Sequence, residues 1–247
     1  MTLRAASGRA SARMKKATVL EQVKTPDGSV QALVERDGHY MIWVNGRELM
    51  STRHAFSEEQ LGVVGCQALA QRKRARVLIG GLGLGFTLRA ALATLGKDAQ
   101  VVVAELMPEV VIWNRNPAYP LASAALADRR TTVELGDVAA LIGRSVARFD
   151  AILLDADNET TAMNTAGNSS LYKAAGLASI TRALTPGGTV VYWSVAEDPA
   201  LVKRLTQASY AVESRRVPRY AAGASGASGA SGGHHWLIIA RHLQTGS

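Results

Sequence analysis

The sequence predicts an α/β protein: a doubly wound, mostly parallel seven-stranded sheet preceded by a small antiparallel β-domain. Three observations carry this reading. Short strands with hairpin turns open the chain, apolar strands alternate with helices from residue 76 onward, and a glycine-rich elbow joins strand to helix at residues 81–85. Strands that are apolar on both faces and alternate with helices belong to parallel sheets covered on both sides.

The N-terminal strands are read at residues 17–23, 29–35 and 39–44, separated by Pro26-Asp27-Gly28 and Asp37-Gly38 and closed by Asn45-Gly46. Asp-Gly and Asn-Gly pairs favour tight hairpins because both central positions tolerate positive φ. Leu61, Val64, Leu69 and Ala70 leave one polar face between residues 58 and 74, which suits a linking helix. The seven sheet strands follow at 76–81, 100–106, 131–136, 149–155, 189–195, 210–216 and 235–241, the last two forming an antiparallel hairpin. The intervening helices are placed at 86–95, 108–116, 138–145, 171–184 and 199–209. The expected organisation is a basic arm over 1–16, a β-domain over 17–57 and a nucleoside-binding domain over 58–247. Within the last, the Gly/Ala/Ser segment 221–233 has a tether's composition and takes no part in the functional reading.

Composition narrows the classes further. At 247 residues and 47% hydrophobic content the chain can bury a full core, and its longest apolar-plus-glycine run, Val77 to Phe86, is ten residues. A membrane span needs about twenty. A single cysteine, Cys66, excludes an intrachain disulfide and a thiolate metal cage, which fits a reducing, cytoplasmic setting. The net charge is +8, but residues 1–16 hold five basic residues and no acid, leaving +3 elsewhere. That arm imitates a transit peptide or a nucleic-acid contact, and its plainer reading is a solvated terminus. The cluster Arg72, Lys73, Arg74 and Arg76 lacks interleaved aromatics, so nucleic acid is not an expected partner. No metal is expected either, because the five histidines show no ligand spacing on one helix.

The chemistry concentrates after the first sheet strand. Gly81-Leu-Gly-Leu-Gly85 places glycines where backbone turns sharply and approaches a ligand, although a tight strand-to-helix turn needs the same residues. Glu105, about twenty residues on at the end of the second strand, is positioned to accept from both ribose hydroxyls. The pair implies a nucleoside-containing ligand. A dinucleotide fingerprint would want its third glycine one place later, where Phe86 stands, so a pyrophosphate grip and a dehydrogenase are disfavoured. Asp137 is placed to accept from an adenine amino group or, equally, to cap a helix, and Asp155 and Asp157 end the fourth strand beside the same cleft.

Together Val77–Arg89, Val103-Ala-Glu-Leu106, Asp128-Arg-Arg130, Asp137, Phe149–Asp155 and Leu184-Thr-Pro-Gly-Gly188 resemble the class I S-adenosylmethionine-dependent methyltransferase fold, and within it the spermidine synthase branch. Val44-Asn-Gly46 followed by Ser57-Glu-Glu59 is similar to that branch as well. The resemblance implies decarboxylated S-adenosylmethionine or S-adenosylmethionine as cosubstrate, a small-molecule amine as acceptor, and a homodimer. It implies Gly81, Gly83, Gly85, Glu105 and Asp137 as donor-binding residues. Three positions depart from the branch's pattern: Leu84 stands where an aspartate usually holds the aminopropyl end, Asn158 where an acid deprotonates the amine, and Ser57 where a tyrosine is common.

Aminopropyl transfer needs carboxylates to bind a cationic amine and one base to take its proton, the sulfonium supplying the leaving group. Asp155, Asp157 and Glu159 are the candidate catalytic acids, with Asp157 and Glu159 flanking Asn158. Glu59, Tyr172 and Trp193 are the candidate acceptor-binding residues, and Trp193 equally suits core packing. Methyl transfer needs less machinery and fits Leu84. A nonenzymatic nucleoside-binding protein is the remaining reading.

Overall fold

The computed structural model describes residues 16–25, 27–155, 170–221 and 233–243. Most of the basic arm, Asp157, Asn158, Glu159 and most of the Gly/Ala/Ser segment lie outside them.

The first sheet is an antiparallel meander of β1 (Thr18–Lys24), β2 (Val30–Arg36), β3 (His39–Val44) and β4 (Arg47–Ser51), paired in that order. The Asn45-Gly46 turn, with both residues at positive φ, does not end the sheet as the sequence reading had it; it is the corner of a hairpin onto β4. Arg47 and Glu48 make the first half of that edge strand polar, which hides it from an alternation count. Leu33 and Ile42 turn into the main core, so this sheet is packed on the body through its apolar face.

Helix α1 (Phe56–Gln67) leads to the second sheet. It stops earlier than its apolar spacing predicts, because Leu69, Ala70 and Arg72 close i→i−3 turns and Arg74 sits at positive φ. Arg72 is not merely solvated: its guanidinium pairs with the buried Asp150 at 3.0 Å.

The body is the expected seven-stranded sheet. In chain order come β5 (Arg76–Gly80), α2 (Phe86–Thr94), β6 (Gln100–Glu105), α3 (Pro108–Arg115), α4 (Ser123–Leu126), β7 (Thr131–Leu135), α5 (Val138–Gly143), β8 (Phe149–Leu154), α6 (Ala174–Ala183), β9 (Leu184–Ser194), α7 (Pro199–Gln207), β10 (Tyr210–Pro218) and β11 (His234–His242). Spatially the order is β10-β11-β9-β8-β5-β6-β7, with β11 the one antiparallel strand. Strand β9 starts five residues before its predicted position. Thr185-Pro-Gly-Gly188, which lies between the predicted helix and the predicted strand, is absorbed as a register shift opposite Phe149–Ala151, with Gly187 at φ 73°.

Two apolar layers cover the sheet. One joins α1, α2 and α3 to Val77, Ile79, Leu153, Val191, Trp193 and Leu237; the other joins α5, α6 and α7 to Leu78, Ile152, Leu154, Tyr192 and Ile238. Strand order reverses at β5, the first strand laid down: β6 lies to one side and β8 to the other. In α/β sheets ligands bind in the crevice at such a switch point, above the carboxyl ends of the strands.

Candidate active site

At the switch point β5 runs into the glycine loop, and Gly81, Gly83 and Gly85 adopt φ of 94°, 52° and 78°. A side chain is strained at such angles. At Gly85 there is no room for one either, since a Cβ would lie 2.3 Å from the Cβ of Ala122. Asn114 holds the loop from behind, donating from Nδ2 to the Gly83 carbonyl at 2.7 Å and to Val110 at 2.8 Å.

Glu105 closes the loop from β6. Its Oε2 accepts from the Leu82 N–H and its Oε1 from the Met107 N–H, each at 2.8 Å. Burial is the largest influence on this carboxyl and raises its pKa, while the surrounding N–H groups of Met107, Leu82, Leu106 and Gly83 pull the other way.

Met50 of β4 lies over this loop: a Cβ on Gly83 would come within 2.6 Å of its methyl carbon. Tyr119 donates to Glu21 at 3.1 Å and packs against Tyr40, so the first sheet also touches the segment after α3. The N-terminal sheet thus roofs the crevice.

The remaining expected residues fall in distinct places. Asp137 caps α5, accepting from the Ala139 N–H at 2.8 Å. Asp155 follows β8, its N–H bonded to the Gly80 carbonyl at 3.3 Å and its own carbonyl facing Gly81. Parallel pairing of Leu154 with Tyr192 sets Trp193 level with Asp155 along the sheet. Trp193 is 7% exposed and packs with the α1 layer, whereas Tyr172 packs tilted against Tyr192, centroids 5.2 Å apart, in the opposite layer. These two aromatics therefore do not face each other across one slot. Glu59, in the first turn of α1, acts electrostatically on Arg89 of α2, whose guanidinium reaches the carbonyls of Leu84 and Leu121.

Leu84 is 1% exposed within the α1 layer, so the position at which the resemblance looks for an aspartate is core here. Sequence reasoning missed Met50, Asn114 and a group formed by Ser57, Glu58, His235 and Arg219. Met50 belongs to the unread strand β4, and the others meet only through tertiary contacts over large sequence separations. Among the described residues no cluster of His, Cys, Asp or Glu has a metal-holding arrangement, and no helix is long and apolar enough to cross a membrane.

This is a methyltransferase-like α/β fold carrying an N-terminal β-domain. More narrowly, it is a spermidine synthase-like fold. A crystal structure of spermidine synthase in complex with the transition-state analogue AdoDATO superposes with a TM-score of 0.64, and one of spermidine synthase from Thermotoga maritima with 0.65. In both cases identity is 16%, over 91% of this chain and 72% of the other. No family model matches the sequence, and comparison with curated proteins finds no match.

Proposed function

We propose that this protein is a transferase that seats an adenosyl sulfonium compound on the Gly81–Gly85 loop and passes its aminopropyl group to a small amine. The observation carrying this reading is the closed hydrogen-bond set joining Glu105 to the positive-φ loop at the switch point, beneath Met50. Gly81, Gly83 and Gly85 bring backbone close to the donor, Glu105 takes the ribose, and Asp137 lies one strand further along for the base. The likeness to spermidine synthases supports the aminopropyl donor, decarboxylated S-adenosylmethionine. On the acceptor side Asp155, Asp157 and Glu159 offer carboxylates to a cationic amine, with Trp193 and Glu59 further round the rim.

In this reading the chain does little covalent chemistry. The donor carries its own leaving group, and the protein aligns nucleophile, carbon and sulfur while its roof limits water. One observation favours methyl transfer from S-adenosylmethionine instead: the buried Leu84 presents no carboxylate to an aminopropyl ammonium.

Mass spectrometry of products separates the two readings. Separate incubations with decarboxylated and intact S-adenosylmethionine, each with a panel of di- and polyamines, should yield methylthioadenosine and an aminopropylated amine from the former. S-adenosylhomocysteine with a methylated amine would establish methyl transfer, and donor binding with neither product would overturn both.

A further inference from the structure

At the crevice end of the sheet, away from the glycine loop, a second set of chemistry-bearing side chains converges. His235 is the second residue of β11, the antiparallel strand, and so stands where the parallel strands end. Its ring packs edge-on against Trp193 with centroids 4.4 Å apart, and Trp193 is level with Asp155. Its Nδ1 lies 2.8 Å from Ser57 Oγ, and Ser57 Oγ donates to Glu58 Oε2 at 2.5 Å. Ser57 and Glu58 are buried in the first turn of α1, the helix that covers this face of β8 and β9.

Counting protons fixes the imidazole. With Glu58 ionised, its carboxylate only accepts, so the single hydroxyl proton of Ser57 goes to Glu58. Ser57 Oγ must then accept from His235 Nδ1–H, which leaves the lone pair on Nε2. That nitrogen has no hydrogen-bond partner among the described residues.

We propose that His235 Nε2 is the base that takes the acceptor's proton, with Ser57 and Glu58 as positioning residues that hold its tautomer. This rests on the transfer reading above and holds for an aminopropyl or a methyl group alike. The acceptor ammonium gives one proton to Nε2, forming imidazolium. The freed nitrogen lone pair forms the new C–N bond, the C–S bond breaks with its electrons going to sulfur, and the sulfonium becomes a neutral thioether. The product leaves as an ammonium, and the imidazolium returns its proton to water.

The surroundings keep the imidazole neutral at pH 7. Burial, then the charges of Arg219, His54 and His234, hold His235 at about 4, which is also the range of an ordinary carboxylate. Glu58, raised chiefly by burial, is pulled back by Ser57, by its own N–H and by Arg219. Arg219 lies at the end of β10, and its Nε is buried without a partner.

Nitrogen-15 spectra of the histidine side chains in the wild-type protein test the tautomer without any turnover: Nδ1-protonated His235 is expected, drifting to a mixture in Ser57→Ala. In the amine assay, His235→Gln should lower kcat about 10²-fold or more with donor affinity unchanged. Added imidazole should restore part of the rate to His235→Ala. An Nε2-protonated His235 in the wild type, or His235→Gln turnover within about twofold of wild type, overturns the proposal. If the wild type releases no thioether product with any amine, the transfer reading itself fails and this proposal falls with it.

Discussion

The two ends of the crevice are built on opposite principles. Around the glycine loop most polar groups are closed on one another: Glu105 holds two backbone N–H groups and Asn114 donates to two carbonyls, though its own Oδ1 is buried without a partner. Around β9 and β11 they stay open: Trp193 Nε1 and Arg219 Nε are buried without partners, and a histidine is held by one ring nitrogen. A buried polar atom without a partner is costly, about 1–3 kcal/mol, and Asn114 Oδ1 carries that cost at the loop as Trp193 Nε1 and Arg219 Nε do at the other end. In the proposed reading the loop is the donor end, a preformed mould, and the β9–β11 end receives the acceptor.

The sharpest way to break this comparison is Leu84→Asp. If the loop's inner face is core, a carboxyl there meets only apolar neighbours and should cost about 4 kcal/mol or more in urea unfolding. Wild-type stability in that variant would show that position 84 faces the ligand, and would blur the contrast between mould and mouth.

Gly85→Ala should come next. The new Cβ meets Ala122 in a left-handed backbone, which costs about 2–4 kcal/mol of stability, and donor binding should weaken with it.

At the open end the expected signature is pH. The folded pKa of His235 lies below the usual 6.5, so the unfolded chain takes that proton first. Its contribution is constant above 6.5, becomes destabilising as pH falls from there to about 4, and changes no further below. His54 is lowered too, by burial and then Arg219, so it adds in the same direction. Urea unfolding at a series of pH values should therefore show a shallower acid slope in His235→Gln than in wild type. Equal slopes would mean that His235 titrates as if solvated.

The smallest effect is expected at Met50, which is half-buried over Gly83. Met50→Ala should weaken donor binding by about 1 kcal/mol, roughly fivefold in Kd, with little change in stability. A tighter Kd would mean that Met50 obstructs the crevice instead of roofing it.

The mould was far more readable in the sequence than the mouth. Gly81, Gly83, Gly85 and Glu105 announce themselves because a strand-loop-helix unit brings residues about twenty apart together by local geometry. The central strands were readable as continuous apolar runs such as Val77–Ile79 or Ala151–Leu154, and the polar-interrupted β7 and β10 from their place in the strand–helix series. Strand β4 was not, since Arg47 and Glu48 face solvent on an edge, and neither was the four-residue α4. The group of Ser57, Glu58 and His235 spans 178 residues of chain, and nothing local in Ser57 or in His234-His235 marks it. Asp137 shows the opposite limit: an acid before a helix reads equally as a ligand group and as a cap, and its side chain does cap α5.

The central claim is that an adenosyl compound sits on the loop that Glu105 braces. Calorimetric titration of methylthioadenosine and S-adenosylhomocysteine into wild type and Glu105→Ala, with folding of both checked by circular dichroism, tests it most directly. The account predicts that the wild type binds at least one of them and that folded Glu105→Ala loses about 100-fold in affinity or more, as two ribose bonds to a charged group would require. Equal affinity in the two proteins, or no binding to the wild type, would contradict it.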